Sequence, residues 1–144
     1  MEIKILTTNN AQQIYFISIE QFGEESWSLE QIQGSLESNT NVCVGVVVEG
    51  ELVCYAIAQN SLDDVNLLLI ATLEKQKQKG YAKALLTYLE NVAKSENKTF
   101  SLEVKSTNTS AINLYQKFGF KTLHIRKKYY KDGADALIMF QQKN

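Results

Sequence analysis

The chain has 144 residues, 44% apolar and 22% charged, enough for one domain with a real core and too apolar for a disordered segment. No apolar run approaches the ~18–20 residues of a membrane-spanning helix, and two cysteines make no disulfide framework. The net charge of −1 hides a division: residues 1–74 carry 11 acids and one base, residues 75–144 carry 14 bases and 5 acids, unlike the basic balance of a nucleic-acid binder.

Met1-Glu2-Ile3-Lys4 shows no basic stretch leading into an apolar one, so a soluble cytoplasmic domain is expected. Glu2 to Thr7 alternates Ile3 and Ile5 with polar neighbours and predicts a strand. Asn9 or Asn10 is placed to cap a helix with Ile14, Ile17 and Phe22 on one face. Ser28-Leu29-Glu30-Gln31 has the form of a capping box and starts a second helix running to about Glu37. Asn41 to Val48, the Glu49-Gly50 turn and Leu52 to Ala58 predict a β-hairpin. A two-residue turn there sets Val48 against Glu51, Gly45 against Cys54 and Cys43 against Ala56, so the two thiols are not paired.

Val65 to Leu73 is an almost continuous apolar run, the pattern of a strand buried on both faces. A basic segment follows, Lys75 to Ala82, and then a helical period in Ala82, Leu85, Leu86, Leu89, Val92 and Ala93. Phe100 to Val104 alternates as a strand. Asn108 caps a helix bearing Ala111, Leu114, Tyr115 and Phe118, with Gly119 as its stop. Phe120 to Arg126 and Ala134 to Phe140 form a closing strand pair around Asp132-Gly133. The order β-α-α-β-β-β-α-β-α-β-β predicts one α/β domain over residues 1–144 with a parallel crossover through its third helix.

The chemistry is sought first at the strand, basic turn and helix over 66–93. Free N–H groups and the dipole at a helix N-terminus attract anions, and Lys75, Lys77 and Lys79 add charge beside Gly80. The segment is neither a Walker loop nor a dinucleotide G-x-G-x-x-G, and alone it reads as plain structure. Taken singly, Glu103 reads as a solvated strand residue and Tyr115 as a core tyrosine whose hydroxyl a neighbour satisfies. The single histidine, His124, has no clustered partners, so no metal is expected.

The combination carries more. Lys77 to Ala82 follows the pattern [Q/R]-x-x-G-x-[G/A], and Asn108 to Phe120 reads N-x-x-A-x-x-L-Y-x-x-x-G-F. Trp27-Ser28, Leu102-Glu103-Val104 and the ending Arg126-Lys127-Lys128-Tyr129-Tyr130 with Asp132-Gly133 and Asp135-Ala136 stand alongside. Together these residues resemble the GNAT family of acetyl-CoA-dependent N-acetyltransferases. The likeness is greatest to its RimI-type branch, which acetylates the N-terminal alanine of a small-subunit ribosomal protein. The resemblance implies a GNAT-like fold: a mixed, mostly antiparallel twisted sheet flanked by helices, with its parallel crossover at the cofactor site. It implies acetyl-CoA as acetyl donor, a basic protein N-terminus as acceptor, and no nucleic-acid or membrane partner.

By the same resemblance, Ile70, Ala71 and Thr72 offer backbone groups to the acetyl and pantetheine part. Lys77, Gln78, Lys79, Gly80, Tyr81 and Ala82 cradle the pyrophosphate, and Asn108 contacts the donor further along. Glu103 is implied as general base, Tyr115 as general acid, and Trp27, Tyr129 and Tyr130 as acceptor contacts. There are departures. Lys77 stands where Arg or Gln is usual, Ala82 replaces a second glycine, Glu74 fills a slot often held by proline, and Ala134 stands where close relatives often have glutamate. A small-molecule amine acetyltransferase and a non-catalytic acyl-CoA-binding module remain the alternatives.

Overall fold

The structure, a computed structural model, describes residues 1–141. Two reciprocal capping boxes organise its start. Thr7 and Asn10 form the first around a 3-10 turn at Thr8–Asn10, so Asn10 reaches back to Thr7 rather than capping the helix that follows. That helix, α1, spans Ala11–Phe22, and Gly23 ends it with a positive φ of 57°. Ser28 and Gln31 form the second box, as the sequence predicts, and open α2 at Leu29–Glu37. Ser28→Ala removes the acceptor of the Gln31 N–H, with an expected loss of about 1 kcal/mol, read as a lower denaturant midpoint at constant slope.

Strand β1 (Glu2–Ile5) is shorter than the alternation predicts and lies at the sheet edge, exposed along its length. The hairpin strands β2 (Asn41–Val48) and β3 (Glu51–Asn60) are followed by β4 (Asp64–Thr72), α3 (Tyr81–Ser95) and β5 (Thr99–Lys105). Then come α4 (Thr109–Lys117), β6 (Lys121–Arg126) and β7 (Ala136–Gln141), the last pair shorter than expected around a loop at 127–135. The seven strands are ordered β1-β2-β3-β4-β5-β7-β6, and β4–β5 is the parallel pair among antiparallel neighbours. This is the mixed, mostly antiparallel α/β sheet expected. β7 inserts between β5 and β6 because an antiparallel partner beside β5 can only come from the returning strand.

Two registers differ from the regular alternation. Val48 faces Glu51 as expected, but Val47 pairs with Leu52 and Val46 with Cys54, so Val53 is an extra residue on β3. This bulge moves Gly45 opposite Tyr55 and Cys43 opposite Ile57. Both thiols stay free and buried, and burial pushes each up to about 11. The second difference is in β4, where Val65 and Leu67 are buried but Leu68 is exposed and Leu69 and Ile70 only half-buried. The apolar run is therefore not covered on both faces throughout.

The core fills both sides of the sheet. Ile14, Ile17 and Ile32 come from α1 and α2, and Leu85, Leu86 and Leu89 from α3, all fully buried. The buried Tyr55 hydroxyl bonds Ser18 on α1, which settles the largest polar group of that side. Among the described residues no helix is long and apolar enough to cross a membrane.

Candidate active site

The site begins with a break in the sheet. Parallel pairing of β4 with β5 stops at Leu67↔Leu102. On the other side of β4, Ala58 pairs with Leu67 and Ile57 with Leu69, leaving Leu68 as the extra residue of a β-bulge. A bulge bends its strand and adds twist, so β4 turns away from β5 at this point. The Leu73 N–H donates to the Val53 carbonyl at 2.9 Å. Strand alternation then directs the N–H and C=O groups of Ile70 and Thr72 to the opposite edge, into the split, and those of Ala71 toward β3. Of the three residues expected to offer backbone groups, two face the split through their main chain.

Below the split the chain makes a 3-10 turn at Glu74–Gln76, tied to α1 by the Glu74 N–H donating to Glu20 at 2.8 Å. Gln78 and Gly80 both take left-handed conformations, with φ of 64° and 85°. A Cβ at Gly80 would meet nothing within 4 Å, so its positive φ, not close packing, is what calls for glycine. Gly80 caps α3 without a side chain, and Ala84 is the first to donate back to it. The N–H groups of Tyr81, Ala82 and Lys83 therefore have no acceptor within the helix, where its dipole is positive. Lys77 is turned onto Glu74 at 3.1 Å, which holds that carboxyl below its ordinary range, and Lys79 bonds Gln76 at 3.0 Å.

β5 presents two chemically different faces. Phe100, Leu102 and Val104 are buried, while Glu103 between them is exposed on the other side. The Tyr130 hydroxyl donates to Glu103 Oε2 at 3.5 Å, and Arg126 Nη1 lies 3.7 Å from Oε1. Lys105, two residues on and on the same face, ion-pairs with Asp132 at 2.7 Å and Glu25 at 3.7 Å. Its ammonium lies 5.3 Å from the centre of the Tyr130 ring, and Arg126 lies 5.5 Å from that of Tyr129. Lys105 thereby joins the segment between α1 and α2 to the 127–135 loop across β5. Burial, then the Glu103 charge, pushes the Tyr130 phenol up to about 12.

Tyr115 belongs to the opposite face. Its ring packs edge-on against Phe120 at 5.9 Å, and Phe120 against Phe100 of β5 at 5.0 Å. The Tyr115 side chain is buried, yet its hydroxyl makes no hydrogen bond to the described residues, and no buried side-chain oxygen among them lacks a partner. The oxygen therefore keeps an opening to solvent, which a core tyrosine satisfied by a neighbour would not need. Burial pushes the phenol up to about 12. Asn108 caps α4, its Oδ1 accepting from the Ala111 N–H at 3.3 Å and Ser110 Oγ at 3.5 Å.

Trp27 is half-buried beside Leu68, lining a groove along α2. Tyr129 and Tyr130 contact each other edge-on at 5.2 Å and lie with Glu103, whereas Trp27 makes no ring contact with them. Sequence reasoning missed Lys105, Arg126, Asp132 and Glu25 as partners in this cluster. A signal was present only for Lys105, at period two from Glu103. His124 is exposed on β6, and among the described residues no three His, Cys, Asp or Glu side chains converge as a metal site would require.

Residues 8–120 match the acetyltransferase (GNAT) family. The chain belongs to the GNAT family. The ribosomal protein bS18-alanine N-acetyltransferases of Haemophilus ducreyi and Escherichia coli K12 are each 38% identical to it, over 96 and 94 residues. These alignments cover 63% and 62% of this chain, and 66% and 64% of the relatives, slightly under two thirds of their length. The crystal structure of the ribosomal-protein-S18-alanine N-acetyltransferase from Escherichia coli superposes with a TM-score of 0.88 at 29% identity, covering 97% of this chain and 92% of that one. In this GNAT domain the two departures from the turn motif, Lys77 and Ala82, lie in the turn before α3 and in its first turn. The Lys77 side chain is engaged by Glu74, and Ala82 sits in the first turn of α3 with its N–H free of an intrahelical acceptor.

Proposed function

We propose that this chain transfers the acetyl group of acetyl-CoA to the free N-terminal α-amine of a protein, by direct attack in a ternary complex. The acceptor we infer is the N-terminal alanine of a small-subunit ribosomal protein, a reading supported by the names of its relatives, and a cytoplasmic reaction goes with it. The observation that carries the reading is the split itself. It has main-chain donors on one edge, a carboxylate on one face of the neighbouring strand, and an uncommitted phenol packed on the other.

The groups present suit the donor. The turn from Lys77 to Ala82 offers free N–H groups at a helix start to a pyrophosphate, and Asn108 stands at the start of α4 to contact the donor further along. The main chain of Ile70 and Thr72 offers partners to the pantetheine arm, and an N–H there holds the thioester oxygen as it gains negative charge. Glu103 takes the proton of the attacking amine, directly or through water. An α-amine of pKa about 7.7–8.0 is largely protonated at neutral pH and must lose that proton to attack. Tyr115 donates its proton to the departing thiolate. Burial keeps the phenol protonated, so that its proton is available to the thiolate as it leaves. Tyr129, Tyr130 and Trp27 contact the acceptor.

The test is release of free CoA thiol from acetyl-CoA, with and without a short basic peptide carrying a free N-terminal alanine. Release that depends on the peptide and stops when its α-amine is blocked is the expected result. Release with polyamines but not peptides would move the acceptor to small amines, and binding of acetyl-CoA without release would leave an acyl-CoA-binding module. The acidic residues Glu24, Glu25 and Glu30 lie at and near the start of α2, where they would steer a cationic terminus. Raising the salt from about 50 to about 300 mM, which shortens the Debye length about 2.4-fold, is expected to slow acetylation of a cationic peptide more than of a neutral one. Equal responses would remove the steering role.

A further inference from the structure

The two segments that flank Glu103 have no core of their own. No residue of 23–28, between α1 and α2, or of the 127–135 loop is buried, so apolar burial does not place either of them over β5. The loop is shaped from within. Asp132 accepts from the Ala134 N–H at 3.0 Å, the Tyr130 N–H donates to the Ala134 carbonyl at 3.1 Å, and Asp135 accepts from the Lys128 N–H at 2.9 Å. These bonds set the form of the loop but not where it lies. Its polar and ring contacts with β5 fall on Glu103 and Lys105. The contact with Glu103 is the weaker, a hydroxyl at 3.5 Å, whereas Lys105 reaches Asp132 at 2.7 Å.

Lys105 stands on a fixed base. It ends β5 opposite Ala136 of β7, which is fully buried, and its own side chain is 22% exposed. Its single ammonium serves three groups. They are Asp132 of the loop, Glu25 of the other segment at 3.7 Å, and the face of the Tyr130 ring, 5.3 Å to its centre. The tyrosine it steadies is the one whose hydroxyl donates to Glu103.

Resting on the acetyl-transfer reading above, we propose that Lys105 is a positioning residue. It pins the Tyr130 loop and the 23–28 segment to the strand that carries Glu103, and so sets the affinity for the acceptor without touching the acetyl donor. Charge by itself would act the other way. A cationic acceptor is repelled by an ammonium, so losing the Lys105 charge alone would tighten its binding. The sign of the effect therefore separates positioning from field.

The probe is an N-acetylalanyl hexapeptide amide carrying lysines, titrated by calorimetry into the full chain with CoA present. Lys105→Met, which keeps the length of the side chain and removes its charge, is expected to weaken the peptide about tenfold or more. In turnover the peptide KM should rise by a similar factor, with kcat within about threefold and acetyl-CoA affinity within about twofold. Lys105→Arg keeps a cation for Asp132, Glu25 and the ring, and should return both values to within about threefold of wild type. Lys127→Met removes a charge that pairs with Asp135 at 3.5 Å, away from the ring, and should leave the peptide unchanged or slightly tighter. Exposed ion pairs add little to stability, so all three melting points should stay within about 3 °C of wild type. Peptide binding by Lys105→Met as tight as wild type or tighter would overturn the proposal. So would equal impairment in Lys105→Arg, an equal loss of acetyl-CoA affinity, or a wild type that does not bind the peptide. Peptide binding that depends on Lys105 without any peptide-dependent CoA release would instead sink the acetyl-transfer reading and leave the role of Lys105 standing.

Discussion

Glu103→Gln and Tyr115→Phe should each lower kcat by about 10²–10⁴, the usual worth of a positioned acid or base, and change acetyl-CoA affinity by less than about threefold. Both substitutions keep shape and remove one function. The Tyr115 ring retains its packing on Phe120, and its hydroxyl holds no protein partner, so stability should move by no more than about 0.5 kcal/mol. Glu103 loses the charge that Arg126 and Tyr130 face, contacts long enough and exposed enough to matter little for folding. The pH profile separates the two roles. Wild-type kcat/KM should rise through the α-amine pKa near 7.7–8.0 and show no fall below about pH 10, since the Tyr115 phenol stays protonated until about 12. Steady-state kinetics with calorimetric acetyl-CoA binding checks both points. An unaffected kcat in Tyr115→Phe would mean that water, not the phenol, protonates the leaving thiolate.

The second large effect is expected from deleting Leu68. It is the extra residue of the β4 bulge, so its removal keeps Leu67 opposite Ala58 and Leu69 opposite Ile57 and turns no side chain to the wrong face. What disappears is the bend. β5 pairing then runs on past Leu67↔Leu102, and the groups of Ile70 and Thr72 that face the split are taken up by the strand. Two main-chain hydrogen bonds lost to a ligand, at about 1–1.5 kcal/mol each, correspond to an affinity loss of about 30- to 150-fold. Leu68→Ala, which keeps the bulge because the bulge is a property of the backbone, should bind acetyl-CoA as the wild type does. Calorimetry beside a melting curve tests the pair. A folded deletion variant with unchanged affinity would show that the packing of α3 and α4, rather than the bulge, holds the strands apart.

These two sites differ in how far they could be read from the chain alone. The Ser28-to-Gln31 box, the α3 period from Ala82 to Ala93 and the Asn108 cap are local, and each is realised within two residues of its expected place. Gly80 and Gly119 mark their helix ends by positive φ, a property of the residue itself. Local pattern puts Glu103 on a strand and Tyr115 on a helix, where they lie, but the strand period cannot say that they sit on opposite sides of β5 with a split beside them. The cluster of Lys105 with Asp132 and Glu25 joins residues 27 and 80 positions apart, and composition registers it only as a division of charge between two halves.

The sequence by itself determined the order of elements, the caps of α2 and α4 and the crossover through α3, because hydrophobic period, capping and backbone preference act over a few residues. The tertiary structure alone decided the two registers, the insertion of β7 beside β5 and the opening between β4 and β5. A bulge exists only relative to a partner strand: Leu68 looks like any residue of an apolar run until Ala58 and Ile57 leave it without one.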